Sequence, residues 1–287
     1  MTRNGYEIVR CRACTLLYVS PTPSDAELAA HYQQASYFEG DAGQGYRNYA
    51  EMEKALLPHF QRRLHFLAAR LNGPGSLLDF GCASGYFLEL AQHAGWQVTG
   101  VELSAQMAQR AAQRVAAGGG RVFTSLDALG EAKFDAITLW EVIEHLPHPL
   151  ETLAALAAHL RPGGMLLLST PNTAHWQAQR KPDAWVGYRP PSHLLFFTPP
   201  TLERMLATAS LTQVTIMPVS PRPPLPDWVE RATTTMQTQL ADGSARPWWF
   251  WLYLWRTVRL AGMGWQRLAH PGDDIYTTLE ASAVKPP

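Results

Sequence analysis

Four residues carry the chemistry that organises this chain. They are Asp79, Gly81, Gly85 and Glu102, within Leu77-Leu78-Asp79-Phe80-Gly81-Cys82-Ala83-Ser84-Gly85-Tyr86-Phe87 and Val98-Thr99-Gly100-Val101-Glu102. The apolar run behind Gly73-Pro74-Gly75 reads as a buried strand. It ends in an acid and a turn with two glycines, where backbone can bend tightly and lie against a ligand with no Cβ between them. A helix from about Gly85 to Ala94 starts there, its free N–H groups pointing at whatever binds. Glu102 closes the next strand, 23 residues beyond Asp79. A carboxylate at that place can accept both hydroxyls of a ribose.

Two cofactors could use such a frame. A dinucleotide site wants Gly-x-Gly-x-x-Gly, so that a pyrophosphate rests on the helix N-terminus. Here the pattern is Asp79-x-Gly81-x-x-x-Gly85. The acid ahead of the first glycine repels a pyrophosphate but suits a cofactor with an amino group and a cationic centre, namely S-adenosylmethionine. The bland alternative is a glycine turn in an ordinary α/β domain.

Further segments weigh against the bland alternative. Phe134-Asp135-Ala136-Ile137 opens an apolar strand through Trp140, and it ends at Glu141-Val142-Ile143-Glu144-His145-Leu146. Ligands of open α/β sheets gather at the carboxyl ends of strands, so this is a chemical edge. Leu160-Arg161-Pro162-Gly163-Gly164 follows as a turn before a fifth strand, Met165 to Ser169. As a set, from roughly Asp25 to Leu211, these motifs resemble a class I S-adenosylmethionine-dependent methyltransferase. The nearest look is to the branch with sugar and natural-product methyltransferases and the ubiquinone-biosynthesis O-methyltransferases.

The resemblance implies an α/β fold, a Rossmann-like, mostly parallel sheet of seven strands with helices on both faces. It also implies an N-terminal helical lid, here with an aromatic-rich insert before the last strand. It makes Asp79, Gly81, Cys82, Ala83, Gly85, Tyr86 and Phe87 the cofactor turn, and Glu102 and Leu103 its ribose end. Ser125, Leu126 and Asp127 fall where family members contact adenine, although Asp127 reads equally as a surface acid capping a turn. Trp140 and Glu141 close the cofactor side, with Tyr37 and Tyr46 as lid candidates. In the ubiquinone branch an acid-x-x-acid-His segment like Glu141, Glu144 and His145 is linked to a divalent cation. The reading preferred here is a hydrogen-bonded loop, and no metal ligand is assigned. Ser192-His193-Leu194-Leu195-Phe196-Phe197-Thr198 matches a segment whose histidine lies near the active site. If the acceptor is a hydroxyl, an imidazole suits the base, so His193 is the first catalytic candidate and His145 the second. Plain packing of His193 in a proline- and aromatic-rich loop is the competing reading.

The chain around these motifs has 287 residues, 46% hydrophobic and 17% charged, enough for a sizeable core. Lysine plus arginine number 24 and the acids 24, so no global field draws it to nucleic acid. Three cysteines and a start without an apolar run point to the cytoplasm.

Five segments follow. Residues 1–23 form a short N-terminal segment whose Cys11-Arg12-Ala13-Cys14 has the spacing of half a zinc site, a remnant of the ribbon found in the resembled branch. Residues 24–72 form the helical lid, capped at Ser24, with helical apolar spacing from Glu51 to Leu71. The Rossmann-like core runs over 73–220, with a helix from Ser104 to Ala117 and an edge pair of strands at Thr212 to Val219 and Asp274 to Ala283. Residues 221–272 are the Pro/Trp-rich insert, with four of the ten tryptophans at Trp248, Trp249, Trp251 and Trp255. Residues 273–287 hold the last strand. The insert reads as a pocket cover or homodimer contact, or as a membrane surface contact through 247–268. The function that results is methyl transfer to a small-molecule acceptor, most simply O-methylation of a sugar or secondary metabolite. The alternatives are a ubiquinone-type O-methyltransferase acting on a polyprenyl phenol and a non-catalytic cofactor-binding scaffold.

Overall fold

A computed structural model of the chain describes residues 1–24, 26–28, 49–221, 248–269 and 271–287. Residues 29–48 of the expected lid, with Tyr37 and Tyr46, and residues 222–247 of the insert lie outside the described residues. The expected cap at Ser24 is present: its backbone N–H and hydroxyl both donate to Glu27, and Glu27 N–H reaches back to Ser24 Oγ.

In chain order the strands are β1 (Thr2–Arg3), β2 (Tyr6–Arg10), β3 (Leu17–Ser20), β4 (Ser76–Phe80), β5 (Gln97–Val101), β6 (Arg121–Phe123), β7 (Phe134–Trp140), β8 (Leu160–Pro171), β9 (Leu195–Phe196), β10 (Thr212–Pro221) and β11 (Tyr276–Val284). The helices are α1 (Tyr49–Arg70), α2 (Tyr86–His93), α3 (Ala105–Val115), α4 (Pro149–His159), α5 (Trp176–Arg180), α6 (Pro199–Thr208) and α7 (Trp248–Ala269). The main sheet has seven strands in the order β10-β11-β8-β7-β4-β5-β6. Only β11 runs against its neighbours. The chain builds outward from β4 to β6, then returns to β7 on the other side of β4. The strand order thus reverses between β4 and β7, and the crevice of an open α/β sheet opens at such a reversal.

Alternation along each strand sorts side chains onto two faces. Leu77, Val98, Ala136 and Leu167 pack with Phe60, Leu64 and Leu67 of α1, Phe87 and Leu88 of α2, and Ala111 and Val115 of α3. Leu78, Ile137, Leu139 and Leu168 face the other way, onto Leu153 and Leu156 of α4 and Leu202 and Leu206 of α6. Each fully buried leucine here contributes about 1.5–3 kcal/mol over its exposed state, which fixes the central strands and the loops at their ends. Ser104 caps α3, accepting from the Met107 N–H.

Two features depart from the sequence reading. Arg161–Gly164, expected as a turn, belongs to β8, because the chain end pairs with it: Gly163 N–H donates to Lys285 O and Lys285 N–H to Gly164 O. Residues 1–23, in which no strands were expected, are the other. They form a second sheet, β1-β2-β3-β9, in which Leu17 and Tyr18 pair with Phe196 and Leu195. Buried Ile8, Val19, Trp185, Tyr188 and Phe196 hold it together. Cys11 and Cys14 sit in the tight connection from β2 to β3, both free. Backbone N–H groups of Cys14 and Ala13 hold the Cys11 thiol below its usual range. Among the described residues no third His, Cys, Asp or Glu joins that pair to complete a metal site.

Candidate active site

Every sequence-assigned site residue among the described ones except His193 stands at or just beyond the carboxyl end of β4, β5, β6 or β7. The turn after β4 is anchored by N–H donation from Gly81 and Cys82 to Val101 O. Gly81 has φ +78° and Gly85 φ +80°, a region where an L side chain is strained. A Cβ on Gly81 would lie 2.5 Å from Val142 Cγ2, and one on Gly85 2.9 Å from the Ala111 backbone. Ala83 also takes a positive φ of 46°, and its N–H donates to Glu102 Oε2 at 2.9 Å. Ser104 N–H donates to Glu102 Oε1 at 2.9 Å. Two backbone donors thus aim the carboxylate while each oxygen keeps a lone pair for a ligand hydroxyl. Burial raises the Glu102 pKa against those hydrogen bonds.

Asp79 is buried at the end of β4 and accepts from Thr138 Oγ1 at 2.6 Å. Desolvation, opposed by that hydrogen bond, lifts its pKa to about 7. A carboxylate held at its titration point in the empty protein is one that a cationic ligand group ionises fully.

The flanking residues divide into two groups. Leu103 (72% exposed), Ser125 and Asp127 line the open end, and Asp127 begins a short 3₁₀ turn. Cys82 and Phe87 turn inward. A Cβ on Gly100 would lie 2.7 Å from Cys82 Sγ, and the Phe87 ring packs edge-on to Phe60 and Trp140. Both therefore bring backbone rather than side chain to the turn. The Tyr86 ring lies under the Arg114 guanidinium.

Trp140 and Glu141 are tied to a buried cation. The Arg63 guanidinium stands 4.0 Å over the Trp140 ring and pairs with Glu280 at 3.0 Å. Trp140 Nε1 is buried and has no hydrogen-bond partner among the described residues. Glu141 adopts a strained φ of +54° and accepts from Ser169 Oγ at 2.7 Å.

Beyond it, the short 3₁₀ turn Ile143–His145 meets the loop before β9. Leu194 N–H donates to Glu144 O, and Val19 N–H to Leu194 O, so the N-terminal sheet pins this loop. The His145 and His193 rings meet edge to face with centroids 4.8 Å apart. His193 Nδ1 lies 2.7 Å from Gly187 O, which requires the proton on Nδ1 and leaves Nε2 as the basic nitrogen. Burial, then the neighbouring His145 and Arg189, hold its pKa well below the ordinary histidine value. Glu144 is buried; Oε2 accepts from Thr170 Oγ1 at 2.9 Å, Oε1 has no hydrogen bond, and His145 Nε2 stands 4.0 Å from it. Burial, and then the nearby Glu141, raise its pKa well above the usual carboxylate range.

Comparison with known proteins follows the same lines. Residues 49–216, more than half of the chain, match the methyltransferase domain family. This chain belongs to the class I S-adenosylmethionine-dependent methyltransferases. A ubiquinone biosynthesis O-methyltransferase of Xanthomonas campestris is 37% identical over 117 residues, 38% of this chain and 49% of that protein. The Idiomarina loihiensis protein of the same name is 31% identical over 168 residues, 54% of this chain and 69% of its own length. This methyltransferase thus spans about half the length of the first curated relatives it matches. A magnesium protoporphyrin IX methyltransferase of Synechocystis, solved with S-adenosylhomocysteine, shares the fold: TM-score 0.56, 15% identity, over 91% of this chain and all of that one.

Within the methyltransferase several site partners were invisible in the sequence. Thr138 under Asp79, Arg63 over Trp140 and the Gly187 carbonyl on His193 come from distant segments. Ser169 and Thr170 carried a signal, as hydroxyls closing an apolar strand at the ligand edge. One expected result belongs to the turn itself. Gly81→Ala should cost about 1–3 kcal/mol and lower Tm by several degrees, because the backbone is left-handed and Val142 fills the space. A thermal melt identical to wild type would refute that account of the turn.

Proposed function

We propose that this methyltransferase moves the methyl group of S-adenosylmethionine to a hydroxyl of a small-molecule acceptor. The observation that carries it is His193: a buried, neutral imidazole with its Nδ1 proton fixed on Gly187 O and its Nε2 lone pair available at the sheet edge. S-adenosylmethionine supplies an electrophilic methyl group on sulfur, already bonded to a good leaving group. The residues fit this cofactor. Glu102 offers two lone pairs to the ribose hydroxyls, Asp79 a carboxylate to a cationic group, and Trp140 Nε1 a waiting donor. The protein then contributes orientation, exclusion of water and removal of one proton. As the acceptor oxygen would form its bond to the methyl carbon, the carbon–sulfur bond would break with its electron pair left on the departing thioether, and His193 Nε2 would take the hydroxyl proton.

The acceptor is either a sugar or secondary metabolite, or a phenol like those of the ubiquinone O-methyltransferases to which the chain is similar. The three free cysteines support a cytoplasmic setting. A second reading concerns Glu144, His145 and His193, whose ligand atoms lie within 4.8 Å of one another. The unpartnered Glu144 Oε1 favours a divalent cation there, which would orient the acceptor oxygen and lower its pKa. Glu141 is not part of the group whose ligand atoms lie that close together.

The experiment is release of S-adenosylhomocysteine over a panel of catechols, polyprenyl phenols, sugars and amines, each with and without EDTA. Turnover with hydroxyl acceptors, unchanged by EDTA, is expected. Loss with EDTA and recovery with magnesium would favour the cation reading. Turnover with amines alone would sink the oxygen assignment, and cofactor binding without turnover on any acceptor would favour a scaffold.

A further inference from the structure

Helix α7 lies outside the family-matched residues 49–216, between the last two strands of the main sheet. It contains Arg256, Arg259 and Arg267 and no aspartate or glutamate. Positions 253, 257, 260, 264 and 268 recur at three- and four-residue steps and so share one side of the helix. On that side Tyr253 is 73% exposed, Leu260 63% and Leu268 84%, with Trp265 beside them at 61%. Gly262, on the opposite side, is buried, and Arg256 is exposed at the edge of the stripe. Thr257 and Gly264 lie between these side chains, while Trp251, Leu252, Leu254 and Trp255 on other sides are half-buried, so α7 exposes part of its apolar surface.

A row of large apolar side chains held in water marks an interaction surface. No described helix is long and apolar enough to cross a membrane. Tyrosine, tryptophan and leucine flanked by arginine are the composition of a helix lying in the interface of a bilayer, aromatic rings at headgroup level. Charge decides between a lipid surface and a second copy. Two copies of α7 would bring together helices that each carry three arginines and no acid, whereas an anionic leaflet carries the opposite charge. We propose that α7 docks this methyltransferase on an anionic lipid surface. Tyr253, Leu260, Trp265 and Leu268 enter the boundary between headgroups and acyl chains, and the exposed Arg256 sits at the phosphates. This holds whichever acceptor is methylated.

The test is sedimentation of the full chain with vesicles of phosphatidylcholine alone or mixed with phosphatidylglycerol. Binding to the mixed vesicles should be at least about tenfold stronger, and high salt should erase the difference. Trp265→Ser combined with Leu268→Ser should weaken vesicle binding at least about fivefold while Tm and S-adenosylmethionine affinity stay unchanged. If the pair fails to fold, Leu268→Ser alone, at the most exposed position, should still weaken binding. Equal binding to the two vesicle types, binding to neither, or undiminished binding by the variants overturns the proposal. So does a dimer in analytical ultracentrifugation that the variants dissociate, which would assign the stripe to a second copy. Cofactor affinity read in the same samples keeps a failure of the methyltransferase reading distinct from a failure of this one.

Discussion

Glu102→Ala is expected to lower S-adenosylmethionine affinity about a hundredfold, read by calorimetric titration with the cofactor and its demethylated product. The magnitude follows from hydrogen bonds to a charged acceptor, about 1.5–3 kcal/mol each, with two hydroxyls of one ribose at stake. The substitution also strips the Ala83 and Ser104 N–H groups of their acceptor, so the turn loses its aim along with the ligand. Glu102→Gln keeps one oxygen acceptor and should lose only about tenfold. Affinity for both ligands within about threefold of wild type in Glu102→Ala would end the ribose assignment. The same titration carries a pH signature. With its pKa raised to about 7 from 3.8, Asp79 is a group that the empty native state keeps protonated where the unfolded chain has lost the proton. Its contribution to stability is therefore present at acid pH and lost as pH rises through about 7. A cationic ligand beside it reverses the balance, so binding should release a proton near neutrality and tighten from pH 6 to pH 8. Protonation of Glu102, its pKa raised too, works in the same direction.

The second large effect is expected at His193. His193→Ala should lower kcat about 10²–10⁴-fold on a hydroxyl acceptor, the usual worth of a positioned general base, with little change in cofactor affinity. The wild-type pH profile sets the sign. Burial and neighbouring positive charge lower the imidazole pKa, so the ring stays neutral and basic from alkaline pH to well below the ordinary value of 6.5. Turnover should hold across the neutral range and fall only at acid pH, and that acid limb should vanish in the variant. Stability follows the matching rule: the unfolded chain takes up a proton that native His193 refuses, so folding loses free energy as pH drops below 6.5 toward the depressed value. Unchanged kcat at saturating acceptor in a folded His193→Ala protein would show that the ring is packing and that the proton leaves by another route.

How far these residues could be read from the chain depended on distance along it. The glycine turn, the acids at the ends of β4 and β5, and the strand Phe134–Trp140 are local patterns. Apolar periodicity reports which face is buried, and caps and glycines report where backbone must turn. Those signals suffice for the alternation of strands and helices and for the place of Asp79, Gly81, Gly85 and Glu102 at the ends of β4 and β5. The acid-x-x-acid-His segment was legible as a site but not in its division of labour. Whether Glu141 or His193 stands with Glu144 and His145 depends on Ser169 claiming Glu141 and on Gly187 orienting His193.

By itself, then, the sequence determined the fold class and the family, because both are written in spacings of a few residues within elements that any such sheet must contain. Tertiary structure alone decided the rest. It turned residues 1–23 into a sheet that pins the His193 loop through Val19 and Leu194, and it placed Arg63 of α1 over Trp140 of β7 against Glu280 of β11. It also left Tyr253, Leu260, Trp265 and Leu268 of α7 in solvent. These are pairings between segments far apart in the chain. Their free energy comes from burial and charge matching after the sheet has closed, and no local period encodes which distant side chain will arrive.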